Sequence, residues 1–275
     1  MRTYGRGISR RLWGQPAGRA GLLLAALLSL MAVGGGALRD AAPDRMNLAE
    51  KLQPPSRRHP LGTDQFGRDQ LARILDGSRR SVGAAVIVMA GVLIAGLTAG
   101  IAAGLVGGWG EAAAMRGVDV MLAIPSLALA LAISGLLGPG YANLLLALTL
   151  SNWAWYARLA RSYVLLARLR PDVIAARMAG IGWLRTAAGH IVPGVAVRLA
   201  IVATLDLGTI IIGFASLSFL GLGVQPPDAE WGAMLAESRL YFSTAPWLLI
   251  APAGAIFLSV VAANLIGNGL READE

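Results

Sequence analysis

The sequence predicts an all-α polytopic membrane protein with six transmembrane helices, and three observations carry that expectation. The 275 residues are 56% hydrophobic and 15% charged, whereas soluble domains are about a quarter charged. Uncharged runs recur at lengths near the roughly 20 residues that span a bilayer. The basic residues behind the +8 net charge flank these runs instead of interrupting them. That placement is a membrane-orientation signal, so no nucleic-acid partner is expected. The chain has no cysteine, which removes disulfide frameworks, iron–sulfur clusters, thiolate metal sites and cysteine nucleophiles together.

The first expected span is 20–38, an uncharged run between Arg19 and Arg39. The arm before it, 1–19, carries Arg2, Arg6, Arg10, Arg11 and Arg19. A signal peptide is the rival reading of that arm and run, but signal apolar cores are usually about 7–15 residues long. The second span, about 81–107, lies in the charge-free stretch from Ser81 to Gly110 and ends at the turn Gly107-Gly108-Trp109-Gly110. Val120 to Ala157 is uncharged for 38 residues. As one helix it would reach roughly 57 Å, nearly twice the hydrocarbon core, so it must fold back. Leu137-Gly138-Pro139-Gly140-Tyr141 supplies the break, giving spans of about 120–137, with a kink at Pro125, and 141–157. The fifth span, about 195–222, contains one charge, Asp206, and the sixth, about 246–267, follows Pro246. The five later spans form a core over 81–270, followed by a tail at 271–275. No internal repeat is found.

An even number of spans puts both termini on one side. With that side cytoplasmic, inner segments hold 13 of the 24 basic residues and outer segments ten. This favours cytoplasmic termini by a small margin.

Two connecting segments carry further signals. The outer loop 39–80 contains Thr63 as an expected N-cap, then Phe66, Leu71, Ile74 and Leu75 at helical spacing. Asp64/Arg68, Asp69/Arg73 and Asp76/Arg80 follow as acid-before-base pairs four apart. The expected element is an amphipathic lead-in helix lying on the membrane. The inner segment 158–190 is long for a connector. Asp172 is expected to cap a helix from Val173 to Ala179 whose small face, Ala175, Ala176 and Ala179, admits another backbone. Gly180 and Gly182 stop it before a second stretch, Trp183 to His190. Such an elbow is a docking element for a partner, or else an unpartnered surface loop.

Within the spans, Asp206 stands alone as an acid. An unpaired carboxylate at that depth costs about 2.5–3.5 kcal/mol on insertion scales. It lines a pathway, or it pairs with Arg198 or with a neighbouring subunit. Trp153, Trp155 and Tyr156 at a span end read as interfacial anchors, and the eight methionines as bundle packing. No nucleophile–base pair or metal-ligand helix lies in the spans, so no cofactor or fixed metal site is expected. A membrane-embedded enzyme or an ATP-independent carrier is the alternative class; carriers usually show internal pseudo-symmetry.

His59-Pro60-Leu61-Gly62-Thr63-Asp64, with Gly67-Arg68-Asp69, Arg73, Gly77 and Arg79, resembles the segment before the second span in permease subunits of bacterial peptide and nickel ABC importers. Ala175-Ala176, then Gly180 and Pro193, are similar to the permease EAA loop, Glu-Ala-Ala-x3-Gly-x9-Ile-x-Leu-Pro. Here Ile174 replaces the Glu, His190-Ile191 puts the isoleucine one place late, and Val192 replaces the Leu. Leu217-Ser218-Phe219-Leu220-Gly221-Leu222-Gly223-Val224 followed by Trp231-Gly232 is a third match, and together the three extend over about 57–271.

The resemblance implies a permease subunit of the bacterial inner membrane, working with a second permease, two ATPase subunits and an extracytoplasmic substrate-binding protein. It makes 158–190 a cytoplasmic EAA coupling loop in which Ala175, Ala176, Gly180, His190, Ile191 and Pro193 couple to the ATPases, without the charged contact of the missing Glu. The sequence agrees in lacking a Gly-x4-Gly-Lys-Ser/Thr phosphate loop, so energy must come from a partner. Asn152-Trp153-Ala154-Trp155-Tyr156-Ala157-Arg158 and Ala203-Thr204-Leu205-Asp206-Leu207-Gly208 look more like nickel permeases than dipeptide or oligopeptide ones. Nickel, as ion or chelate, is therefore the expected substrate and peptide the alternative.

Overall fold

A computed structural model describes residues 16–34 and 43–274, and these are helical apart from turns and one antiparallel bridge between Thr63 and Asp69. Residues 1–15 of the expected arm, the end of the expected first span and the last tail residue lie outside the described residues. In chain order the helices are α1 (Pro16–Gly34), α2 (Gln70–Val106), α3 (Gly108–Leu122), α4 (Ser126–Leu137), α5 (Tyr141–Ala167), α6 (Pro171–Met178), α7 (Trp183–Thr186), α8 (Val192–Phe219), α9 (Trp231–Ser238) and α10 (Trp247–Asp274). Short 3-10 turns occur at Leu48–Glu50 and Arg239–Tyr241, and a π-type turn at Ala187–Ile191 joins α7 to α8.

Three stretches are long and apolar enough to cross a membrane: Gln70–Val106, Trp183–Phe219 and Trp247–Glu272. The pair α3–α4, bent by 83°, is a fourth if counted as one span. On this criterion the described residues supply three or four of the six expected spans. The single helix expected over 120–137 is corrected to two helices, because Pro125 cannot continue α3 and starts α4 instead. α1 and α5 stand at the expected first and fourth positions, and α5 carries Asn143, Asn152, Arg158 and Arg161, which make it less apolar than the long helices α2, α8 and α10.

The separate lead-in helix is also corrected. α2 begins at Gln70 and runs 37 residues, about 55 Å, through the region expected to hold a helix on the membrane and then a span. Thr63 is not its cap. The Thr63 hydroxyl donates to the Glu50 carbonyl and its backbone pairs with Asp69. Asp69 caps α2 instead, accepting from the Ala72 N–H at 2.8 Å, because the turn at Gly67 (φ 71°) keeps residues 64–68 out of helix. Of the expected acid-base pairs, Asp76–Arg80 lies on α2 at 2.6 Å and Asp64–Arg68 closes at 2.5 Å outside it.

α2, α5 and α8 form the centre of the bundle around Val88, Val92, Leu144, Leu148, Val164, Leu199 and Phe214, all 3% exposed or less. α10 lies against α8 and α1. Where α2 crosses α5, Gly96 faces the Cβ of Tyr156 and Gly100 the carbonyl of Ala157, so closely that neither position has room for a Cβ. Gly104 repeats the contact one turn on, where a Cβ would stand 2.9 Å from Val164 Cβ. Outward-facing Val86, Ile87, Ile94, Leu136, Ile250 and Phe257 suit an apolar solvent.

The polar end of α2 is tied to the segment after α8. Arg68 and Arg73 are each 1% exposed. Arg68 reaches Glu237 at 3.0 Å and Arg73 reaches it at 3.3 Å and the Pro227 carbonyl at 3.2 Å. Trp231, fully buried, donates to the Ile74 carbonyl at 3.1 Å. Glu230, also fully buried, caps α9 by accepting from the N–H groups of Gly232 and Ala233 at 2.9 Å, and from the hydroxyls of Ser81 and Ser218.

Two outcomes test this packing by thermal unfolding in detergent. Gly100→Ala, which forces a methyl against the Ala157 carbonyl, is expected to destabilise the bundle by about 1–3 kcal/mol. Glu230→Ala strands four donors and is expected to cost at least about 1.5–3 kcal/mol, while Glu230→Gln, which keeps an acceptor oxygen, loses less.

Candidate functional site

Two regions carry the residues singled out from sequence: an elbow at one end of the bundle and a cleft midway along α8. α5 runs past its expected end at Ala157 to Ala167 and takes up the first ten residues of the expected 158–190 connector. The chain turns and Pro171 opens α6 at a position where its missing N–H costs nothing. Asp172 is the second helical residue and not the cap. Its carboxylate accepts from Arg170 Nε at 3.0 Å and Nη2 at 2.9 Å and lies 3.4 Å from His190 Nδ1. Desolvation pushes this carboxyl up, but the charge and hydrogen bonds of Arg170 and the bond from His190 outweigh it and hold the pKa below the ordinary value.

α6 turns Val173 and Ala176 inward, at 2% and 7% exposure. The expected small docking face is therefore corrected: Ala175 and Ala179 are exposed, but Ala176 packs within the chain. Gly180 (φ 79°) reverses the chain, with its N–H on the Arg177 carbonyl and the Ile181 N–H on the Ala176 carbonyl, both at 3.1 Å. This is an αL helix stop, which glycine adopts without strain. The guanidinium groups of Arg168 and Arg177 both lie over the Trp183 ring, 4.9 and 5.4 Å from its centroid. Of the other expected residues, Ile191 is fully buried in the π-type turn, and His190 and Pro193 are half-buried.

What faces outward is instead an apolar edge of Leu169, Ile174, Met178 and Leu184, between 47% and 85% exposed. Ile174 and Met178 border a hollow with Arg168, Val173, Arg177 and Trp183. Sequence reasoning missed Met178 and Leu184, although their offset from Ile174 along the elbow was the available signal.

In the cleft, Asp206 is half-buried and its Oδ2 accepts from the Tyr156 hydroxyl at 2.8 Å. The expected alternative of an Asp206–Arg198 pair is corrected, because Arg198 is exposed and its guanidinium lies over the Tyr163 ring, 5.8 Å from the centroid. Among the described residues no cation pairs with Asp206. Tyr156, expected as an interfacial anchor, is 3% exposed, pressed against Gly96 of α2 and so held where its hydroxyl reaches α8. The cleft encloses about 300 Å³. Its wall includes Met89 of α2, Met121 of α3, Ser126 of α4, Asn152 and Trp155 of α5, and Thr209 of α8. Ile124, Pro125 and Ser126, at the bend between α3 and α4, stand in its wall. No group of three or more His, Cys, Asp or Glu that would hold a metal ion occurs among the described residues.

A helical bundle whose longest helices suit a membrane, with a polar cleft in its middle and a broken helix beside it, fits a transport protein, and comparison with known proteins agrees. Residues 96–273 match the family described as binding-protein-dependent transport system inner membrane component. The chain is 40% identical over 254 residues to the nickel transport system permease protein NikC of Escherichia coli K12, covering 92% of both chains. It is also 40% identical over 253 residues to the dipeptide transport system permease protein DppC of Alkalihalophilus pseudofirmus, covering 92% of this chain and 83% of that one. With the probable D,D-dipeptide transport system permease protein DdpC of Escherichia coli K12 the identity is 38% over 261 residues, covering 95% and 88%. On fold, match and coverage alike, this chain belongs to the peptide/nickel group of ABC importer permeases, the multi-pass inner-membrane components of binding-protein-dependent transport.

Proposed function

We propose that this chain forms the translocation pathway of an importer together with a second permease subunit, receives substrate from an extracytoplasmic binding protein, and is driven by two partner ATPase subunits that dock on the elbow 171–193. The observation that carries the coupling role is the exposed apolar edge of Leu169, Ile174, Met178 and Leu184 on an otherwise basic end of the bundle. Apolar side chains this exposed at a helix end mark a partner surface. In this reading Gly180 and the Trp183 stack fix the elbow's shape, and Ala176 and Ile191 anchor it from within. Both termini are then cytoplasmic, with the Arg68–Arg73–Glu237 cluster on the outer side.

The substrate favoured by this reading is nickel, as ion or chelate, supported by the NikC likeness and by the residues around Asn152 and Asp206. Import of a di- or oligopeptide by the same machinery is the second reading, supported by the dipeptide permease relatives at similar identity.

Two experiments test this. Met178→Glu and Ile174→Asp place a charge on the exposed edge without touching the core. Each is expected to reduce co-purification of the ATPases by about tenfold or more, the scale of losing a well-buried interface anchor, while the amount of permease in the membrane stays unchanged. Co-purification at the wild-type level would remove the elbow from coupling. For orientation, the cysteine-free chain permits single-site labelling. Ser56→Cys is expected to react with an impermeant thiol reagent in intact spheroplasts and Leu184→Cys only after lysis; the reverse pattern would invert the topology.

A further inference from the structure

The cleft at Asp206 presents hydrogen-bond acceptors without partners. Several donors in its wall are already engaged: Tyr156 gives its proton to Asp206 Oδ2. Asn152 Nδ2 binds the Leu148 carbonyl at 2.7 Å and Ser151 Oγ at 3.2 Å, and Ser151 itself donates to the Ala147 carbonyl at 2.9 Å. Three oxygens remain with no hydrogen-bond partner among the described residues, namely Asp206 Oδ1, Asn152 Oδ1 and Thr209 Oγ1, and all three residues line the cleft. One of them carries negative charge, and no cation of the described chain answers it. The start of α4 at Ser126 brings the partial positive charge of a helix N-terminus, about half a unit charge, against the full charge of the carboxylate. Trp155, half-exposed in the wall, adds a ring of the kind that attracts cations.

Resting on the pathway role given above, we propose that this cleft recognises a positively charged, hydrogen-bond-donating group of the substrate, bound through Asp206, Asn152 and Thr209. It is not a coordination site for a bare metal ion. A divalent transition metal stripped of its shell would seek imidazole or thiolate ligands or several carboxylates, and the cleft offers one carboxylate. An ammonium group carries three N–H donors, and a metal ion that keeps its water or chelator shell presents O–H donors on its outside. Both fit the same acceptors. Tyr156 has a positioning role: by holding Oδ2 it turns Oδ1 to the ligand, so the carboxylate binds from one side and releases readily, as a pathway requires.

The test uses the whole complex with its binding protein in proteoliposomes loaded with ATP, measuring uptake of nickel chloride and of a labelled dipeptide beside the quantity of assembled complex. Asp206→Asn is expected to lower uptake of the transported substrate by about tenfold or more, the usual scale for a hydrogen bond to a charged group, with complex quantity unchanged. Asp206→Glu is expected to restore much of it. Thr209→Lys, at an exposed position three residues along α8, should place its own ammonium beside Asp206 and depress uptake similarly. Either substrate supports the shared chemistry, nickel identifying the shelled metal and dipeptide the ammonium. Normal uptake by Asp206→Asn or by Thr209→Lys overturns the proposal and leaves the importer reading standing. A parallel fall in assembled complex for Asp206→Asn makes the carboxylate a scaffold and also overturns it. Absence of ATP-dependent uptake of both substrates by the wild-type complex overturns the importer reading and this proposal together.

Discussion

The crossing of α2 and α5 through Gly96, Gly100 and Gly104 sets the geometry on which the rest of the bundle depends. In an apolar solvent there is little hydrophobic driving force between helices, and close backbone approach supplies dispersion contact instead. Here that approach presses α2 against Tyr156, Ala157 and Val164. It fixes the rotation of α5, and with it the direction of the Tyr156 hydroxyl. α8 then packs against both helices, and Asp206 meets the one phenol that the crossing has aimed at it. The packing of two helices through glycine thereby decides which groups meet in the cleft.

The two ends of the bundle are built on opposite principles. At the start of α2, arginines and carboxylates are buried together and meet one another's hydrogen bonds, with Glu230 and Trp231 closing the gap to α8 and α9. Breaking one member of such a buried set leaves its partner charged and alone, which costs about 3–5 kcal/mol, so this end is rigid. At the elbow, α6 and α7 are short, Ile174 and Met178 face outward, and the charged residues sit at the edges. One end is thus closed by buried charge pairs, and the other leaves an apolar edge uncovered.

Much of this was legible in the sequence, for identifiable reasons. Long uncharged runs and the Gly138-Pro139-Gly140 break are local signals, and the fold-back there follows from helix length alone. The end of the first elbow helix is legible too, since Gly180 stops it whatever surrounds it, whereas its start is placed at Asp172 by capping chemistry and lies at Pro171. What was not legible depended on contacts distant in the chain. Thr63 has a capping residue's chemistry but is drawn into a bridge with Asp69. Ala176 belongs to a run of small residues, and only its packing assigns it to the inner face. Tyr156 reads as an anchor because its partner, Asp206, lies 50 residues away on another helix, and Arg198 stands among the candidate partners of Asp206 because sequence proximity is the only measure of distance a sequence offers.

The buried arginines also constrain the order in which the protein is made. Arg68 leaves the ribosome 169 residues before Glu237, the carboxylate that closes over it. At about 5–20 residues per second the wait is roughly 8–34 s. During that interval the guanidinium groups of Arg68 and Arg73 have Asp64 close by in the chain but not the distant carboxylate, so the segment must stay hydrated until the last third of the chain has been delivered to the same side. The final shape of that end is therefore settled late in biogenesis. A truncated chain lacking α9 would keep the guanidinium groups of Arg68 and Arg73 without the carboxylate that closes over them.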